Sequence, residues 1–420
     1  MQVLKRIALF FLVIVLFGCN NQLTDNRIDI YNQKYDIIDY DTIDKSMHSE
    51  STLNVGVLLP LSGQASSIGS GMQNAMFMAL DDLKNNRLAL KFYDTKSTEE
   101  GAYEAAKQAI RDGAELILGP LMGEEVKGMS SVALSEDVPV VSFTTSPQVL
   151  QKGIYSIGLL NGEQIQRAIS YAASKGRTKL AVLVPDNNGG LNILKSAMIA
   201  ANMNGVSLTK VGFYNPNSMD FSAIVRDITS GGGFDTVLVA DSGNRLKSIA
   251  SMFAYNDVMY PDVMFLGTAA WDGTNLNKET ILYHSVYPMV SKSYGSYFAD
   301  KYKETFGEQA KPVYSFAYDS VLLASVLSGK NKDNLNEGIT GKGGFIGVNG
   351  LFKILPTGQS RHSLEILEIT KDGPLVVSPA DKQMIDRDEE EFDIRYMNYE
   401  LLPRFYGKNS SEVLSWLNNN

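Results

Sequence analysis

The stretch LNVGVLLPLSGQASSIGSGMQNAMFMALDD, residues 53–82, carries the decisive change of texture in the chain. Its opening LNVGVLLP is a short apolar run stopped by Pro60, the mark of a strand buried on both faces. A polar, glycine-bearing turn follows. Met72, Ala75, Met76, Ala79, Leu80 and Leu83 then recur at helical spacing. Strand, short loop and amphipathic helix form the first half of a βαβ unit.

Working outward, the pattern repeats. LALKFYD (88–94) reads as a strand, TEEGAYEAAKQAIRDG (98–113) as a helix, ELILGP (115–120) as a strand, VKGMSSVALSEDV (126–138) as a helix and PVVSFTTSP (139–147) as a strand with a polar end. The alternation restarts at IYSIGL (154–159) and runs through TKLAVLVP (178–185), SLTKVGFY (207–214), DTVLVAD (235–241) and DVMFLGT (262–268), with helical segments between. Alternation at short connections predicts doubly wound parallel sheets. Residues 52–378 exceed what one core usually takes, so two α/β lobes in tandem are expected. HSVYPMV (284–290) reads as a strand and VYSFAYDSVLLASVLSG (313–329) as a long helix. Residues 344–377 read as three short strands with turns at Gly350 and Gly358.

The amino terminus, MQVLKRIALFFLVIVLFGC, has the order of an export signal: Lys5 and Arg6, an apolar run from Ile7 to Phe17, then Gly18. The run is shorter than the roughly 20 residues a membrane-crossing helix needs. Residues 1–18 are therefore expected to be a signal and 19–51 a polar tether, with a folded N-terminal extension as the alternative. Cys19 is the single cysteine, so the exported chain forms no intramolecular disulfide. The 38 Lys and Arg face 47 Asp and Glu, a formal charge of −9, and losing Lys5 and Arg6 with the signal deepens it. That balance disfavours nucleic acid and anionic lipid surfaces as partners. Residues 379–420 read as an acidic C-terminal extension, whose run DRDEEEFD is a solvated face or a disordered segment.

Catalytic constellations are missing. His48, His284 and His362 stand apart with no ligand spacing for a metal. There is no G-x-S-x-G elbow and no phosphate-loop lysine. The one S-x-x-K, Ser207 to Lys210, falls inside a predicted strand. A binder without cofactor or catalytic residues is the expectation.

In open parallel sheets ligands sit beyond the carboxyl ends of the strands. Those ends here offer Ser62 and Gln64, then Gly119, then Ser142, Thr144 and Thr145, then Asp241 and Ser242, and finally Thr268 and Trp271. Hydroxyls and helix-terminal N–H groups hold an anion without a formal positive charge. The same residue types also cap helices and close βα turns, and both readings stand. Trp271 either faces a ligand or wedges between lobes.

VLLPLSGQASSIGSGMQNAMFMALDD, LILGP, VPVVSFTTSP, FSAIVRDI, DTVLVAD and AYDSVLLA, in this order, resemble the type I periplasmic binding proteins of the branched-chain amino-acid-binding kind. The resemblance implies two lobes, a multi-crossing hinge and a ligand in the cleft. It implies a first lobe of 52–158 with 285–335, whose returning helix brings Asp319 to the cleft, and a second of 159–284 with 336–378. On this pattern Ser142, Thr144 and Thr145 would take a ligand carboxylate, and Asp241 its ammonium. A narrower likeness runs through PLSGQASSIGSGMQNAMF, NSMDFSAIVRDI, FLGTAAWD and GFIGVNGLFKILPTGQSRHSLEILEI. These look like the penicillin-binding-protein activator lipoproteins, which imply a bifunctional peptidoglycan synthase as partner. LFGC looks like a lipobox, implying a diacylglycerol on Cys19, and Asn20 implies sorting to the outer membrane, facing the periplasm. The alternative is the substrate-binding lipoprotein of an ABC permease for amino acids or a similar small polar solute.

Overall fold

A computed structural model describes residues 52–85, 87–328, 334–384, 405 and 407–419. The signal, Cys19, the tether and the acidic run 386–393 lie outside the described residues.

In the first lobe β1 (Leu53–Leu59), β2 (Leu88–Asp94), β3 (Leu116–Leu118), β4 (Val140–Ser142) and β5 (Ile154–Ser156) alternate with α1 (Ser66–Leu83), α2 (Glu99–Arg111) and α3 (Gly123–Ser135). The strands form one parallel sheet in the order β2-β1-β3-β4-β5. Alternate residues of β1 divide between its faces. Val55, Val57 and Leu59 pack with Met72, Ala75 and Met76 of α1, while Leu58 joins the alanine stripe of α2, Ala102, Ala105, Ala106 and Ala109. The stripe lets α2 close on the sheet: a Cβ on Gly56 would lie 2.8 Å from that of Ala109.

The second lobe continues with α4 (Asn161–Ser174), β6 (Lys179–Pro185), α5 (Asn188–Met203), β7 (Ser207–Tyr214), α6 (Ser222–Thr229), β8 (Thr236–Val239), α7 (Gly243–Tyr255), β9 (Met264–Leu266) and β10 (Val286–Val290). The chain then returns through α8 (Lys292–Phe306), α9 (Pro312–Leu327) and α10 (Leu335–Ile339) to the first lobe, where Phe298, Tyr302, Tyr314 and Val321 join the core of β1 and α1. Next come β11 (Phe345–Gly347), β12 (Gly350–Ile354) and β13 (Ser360–His362), a separate three-stranded antiparallel sheet. β14 (Leu364–Thr370) and β15 (Gly373–Ser378) complete the second sheet, ordered β15-β14-β10-β9-β8-β6-β7. β14 and β15 run antiparallel to their neighbours, so this sheet is mixed rather than wholly parallel.

Two boundaries differ from the expected ones. The strand at 286–290, expected in the first lobe, pairs with β9 and β14 in the second sheet, so that crossing falls at Ser291. The sequence pattern places residues 336–378 whole in the second lobe. The β11–β13 sheet instead buries Phe345, Phe352 and Ile354 in the first-lobe core, and Gly358 O accepts from Ser156 N at 2.8 Å. Only β14 and β15 belong to the second lobe, and 344–377 holds five strands rather than three. The acidic extension ends in a docked helix, α11 (Ser410–Asn419). Its Ser410 Oγ accepts from Val211 N at 2.8 Å, and Phe405 stacks on Phe213 of β7 at 4.9 Å.

Candidate functional site

A cleft of about 670 Å³ lies between the lobes. Phe143 and Thr145, just past β4, form one wall with Phe298 of α8 and Val313 and Phe316 of α9. Across from them stand Thr268, Ala269 and Ala270 behind β9 and Met289 and Val290 at the end of β10. Lys292 and Lys311 are the charged residues of the lining; none of the lining residues is acidic. Gln164, near the start of α4, holds this geometry. Its Oε1 accepts from Ala269 N at 2.8 Å and its Nε2 donates to Leu159 O at 3.2 Å, tying the loop after β9 to the first crossing. Lys292 Nζ donates to Asp272 Oδ1 at 2.8 Å, and the same oxygen accepts from Tyr287 Oη at 3.0 Å. Burial and that carboxylate push the Tyr287 phenol far up, so it stays a donor.

Of the strand-end residues singled out in the sequence, Thr145 and Thr268 line the cleft. The others serve elsewhere. Ser62 Oγ donates to Asp94 Oδ2 at 2.6 Å, closing the β1–α1 loop onto the end of β2. Gln64 is exposed on that loop, outside the cleft lining. Gly119 has φ +98 and a cis bond to Pro120, and a Cβ there would lie 2.0 Å from Leu58 O, so it makes a turn against β1. Ser142 is buried with Oγ donating to Tyr155 O at 2.8 Å, and buried Thr144 accepts from Ser146 N at 3.1 Å. Neither residue is in the cleft lining.

Asp241 is taken too. It accepts from Arg245 Nε at 2.8 Å and Tyr214 Oη at 2.6 Å, and its Oδ1 takes Ser242 N. An internal guanidinium therefore occupies the place expected for a ligand ammonium. Ser242 precedes α7 without a side-chain cap bond and lies outside the lining. Trp271 is neither ligand wall nor wedge: it is buried in the second-lobe core against Gly267, with Nε1 donating to Asp241 O at 2.9 Å. Asp319 is fully buried behind the cleft. Its carboxylate accepts from Val348 N at 2.7 Å, Asn349 N at 3.1 Å and Asn349 Nδ2 at 2.8 Å. It reaches the cleft only through Val348 and Asn349, which line it. Burial pushes its carboxyl up to about 6 despite those donors.

The family model described as periplasmic binding protein matches residues 52–374. The chain belongs to the periplasmic binding protein family. Such proteins bind rather than catalyse, which agrees with the missing nucleophile–base pairs. This binding protein is 22% identical over 202 residues to the Leu/Ile/Val-binding protein homolog 3 of Brucella melitensis biotype 1, covering 46% of this chain and 55% of that one. The aligned stretch thus spans about half of that curated relative. Among solved structures, one of a branched-chain amino acid ABC transporter protein of Rhodospirillum rubrum, described as tentative in function, superposes with TM-score 0.70 at 16% identity, over 78% of this chain and 100% of that one. A solute binding protein of an ABC transporter from Rhodopseudomonas palustris BisB5, solved with 3,4-dihydroxybenzoic acid, superposes with TM-score 0.61 at 17% identity, over 80% and 99%. At these identities the likeness establishes the two-lobe fold.

Sequence reasoning missed Gln164, Lys292, Lys311 and Asn349 of the binding protein's cleft. Lys292 had a readable signal, since it follows the β10 strand. Asn349 had none, because its place depends on Asp319, 30 residues earlier.

Proposed function

We propose that this protein is the solute-capturing component of an ABC transporter and that its ligand is a small carboxylate with an apolar, preferably aromatic, body. The composition of the cleft carries this reading: two lysines, three phenylalanines and no acidic side chain. A ligand ammonium enclosed there would lack a counter-charge, and an unpaired buried ion is costly. Asp241, the group expected to supply it, is engaged by Arg245. A carboxylate finds Lys311, with Thr145 and Thr268 as hydroxyl donors, while Phe143, Phe298 and Phe316 offer ring faces worth about 0.5–1.5 kcal/mol each. The fold neighbour solved with 3,4-dihydroxybenzoic acid supports the same class.

Thermal unfolding with benzoate, 4-hydroxybenzoate, leucine and isoleucine tests the proposal. A ligand at a thousandfold excess over its dissociation constant adds about 4 kcal/mol of stability. Stabilisation by the benzoates and none by the amino acids is expected; the reverse order refutes the class, and no response to either refutes the receptor role.

A second reading is a regulator that docks a peptidoglycan synthase, as the likeness to the penicillin-binding-protein activators implies. Internal use of the Ser62, Ser142, Thr144 and Asp241 side chains favours it, because strand ends so engaged need no ligand. Pull-down of the exported chain with solubilised synthases separates the two. Either role is compatible with a lipid on Cys19 at the outer membrane, which mass spectrometry of the mature amino terminus checks.

A further inference from the structure

Behind the cleft, on the far side of the first crossing, lies a second and smaller cavity of about 120 Å³. The crossing serves both: Leu159 and Gln164 line the cleft, whereas Leu160, Glu163 and Gln166 line the cavity. The opposite wall is β13 and its approach, Gln359 to Leu364, the crossing into β14. The cavity is therefore built from two of the three connections between the lobes.

Its polar groups are unusual. Glu163 accepts from Leu160 N at 3.0 Å, from His362 N at 2.6 Å and from His362 Nδ1 at 3.0 Å, so one carboxylate joins both crossings. Because a carboxylate only accepts, Nδ1 carries a proton towards it, and Nε2 is the ring's other polar atom. That Nε2 is buried with no hydrogen-bond partner among the described residues, and so are Gln166 Oε1 and Gln359 Nε2. All three residues line the cavity and are more than nine-tenths buried. Buried polar atoms are nearly always satisfied, and an unsatisfied one is costly. Gln166 Oε1 asks for an N–H or O–H donor and Gln359 Nε2 for an acceptor, with His362 Nε2 as a third polar partner. Charge on the wall is balanced, with Glu163 and Asp381 against Arg167 and Arg361.

We propose that this hinge cavity is a binding site for a small neutral primary carboxamide. The NH2 group donates to Gln166 Oε1, the carbonyl accepts from Gln359 Nε2, and His362 Nε2 completes the polar lining. The exposed residues Asp381 and Gln383 form the rim by which it enters. Occupancy bridges the first crossing to β13 and restrains the angle between the lobes. The inference is independent of what the cleft holds.

Acetamide is the probe, titrated into the intact protein and followed by calorimetry and amide hydrogen exchange. Saturable binding is expected, with protection gained at 160–167 and 359–364 and not at 268–270. Acetate, which has the shape but no donors, is expected to bind at least about tenfold more weakly, as is acetamide to Gln166→Leu. Gln359→Met gives the same comparison if the first variant melts early, and the exchange map of the unmodified protein stands without either. Absence of saturable binding means that only water fills the cavity and overturns the proposal. Equal binding of acetate, protection confined to the cleft, or unchanged affinity in a folded variant overturns it as well.

Discussion

Replacing Asp319 by asparagine is expected to change the pH dependence of stability in a direction opposite to that of an ordinary carboxylate. The side chain is 1% exposed and its carboxylate receives two backbone N–H groups and the Asn349 amide, fastening the β11–β12 turn to α9. Desolvation outweighs those three donors and lifts its pKa from 3.8 to about 6. The folded protein thus keeps a proton that the unfolded chain has already released between these values. Unfolding then releases a proton, so stability falls as pH rises through this window. The contribution is complete below the unfolded pKa and lost above the folded one. A gap of roughly two pH units at about 1.4 kcal/mol each gives a change on the order of 3 kcal/mol. The amide in Asp319→Asn cannot titrate, so the difference between wild type and variant isolates this group from every other. Guanidinium unfolding of both proteins at closely spaced pH values from acid to neutral measures it, with equal m-values required for the comparison. Wild type is expected to lose about 3 kcal/mol relative to the variant on going from below about pH 4 to about pH 7. Parallel curves, or wild type gaining on the variant as pH rises, refute the claim that desolvation dominates at Asp319.

Three further outcomes follow from packing and charge. Gly267→Ala places a Cβ 2.1 Å from the Trp271 ring, which its bond to Asp241 O holds in place; overpacking is expected to cost about 1–3 kcal/mol and to shift tryptophan emission, and an unchanged melting curve contradicts it. Phe405→Ala removes the ring between Phe213 and Trp416, so a loss of about 3–5 kcal/mol and early proteolytic release of the C-terminal helix are expected in a limited digest. Lys311→Glu reverses one of the two cleft charges and is expected to weaken benzoate at least about tenfold with the melting temperature of the free protein unchanged; undiminished affinity places the carboxylate elsewhere.

The chain's own pattern is enough to reach the two-lobe α/β architecture. Runs such as VGVLL (55–59) and VLVA (237–240) are apolar throughout because parallel strands are covered on both faces, and the helices between them show one apolar stripe. Those are local periodicities, readable without knowing any partner. The chain also shows where strands end, and therefore where Thr145 and Thr268 would sit. Tertiary structure alone decided what each strand-end group bonds to. Ser142 and Asp241 looked like ligand groups, yet Tyr155 O and Arg245 reach them first, which depends on strand register and on the rotamer of a residue one helical turn away. It also decided that Val286–Val290 belongs to the second sheet and β11–β13 to the first lobe's core, since a strand's apolar pattern does not name its neighbour. Periodicity is a property of one segment, whereas a hydrogen bond between segments is a property of their distance, and only folding sets that distance.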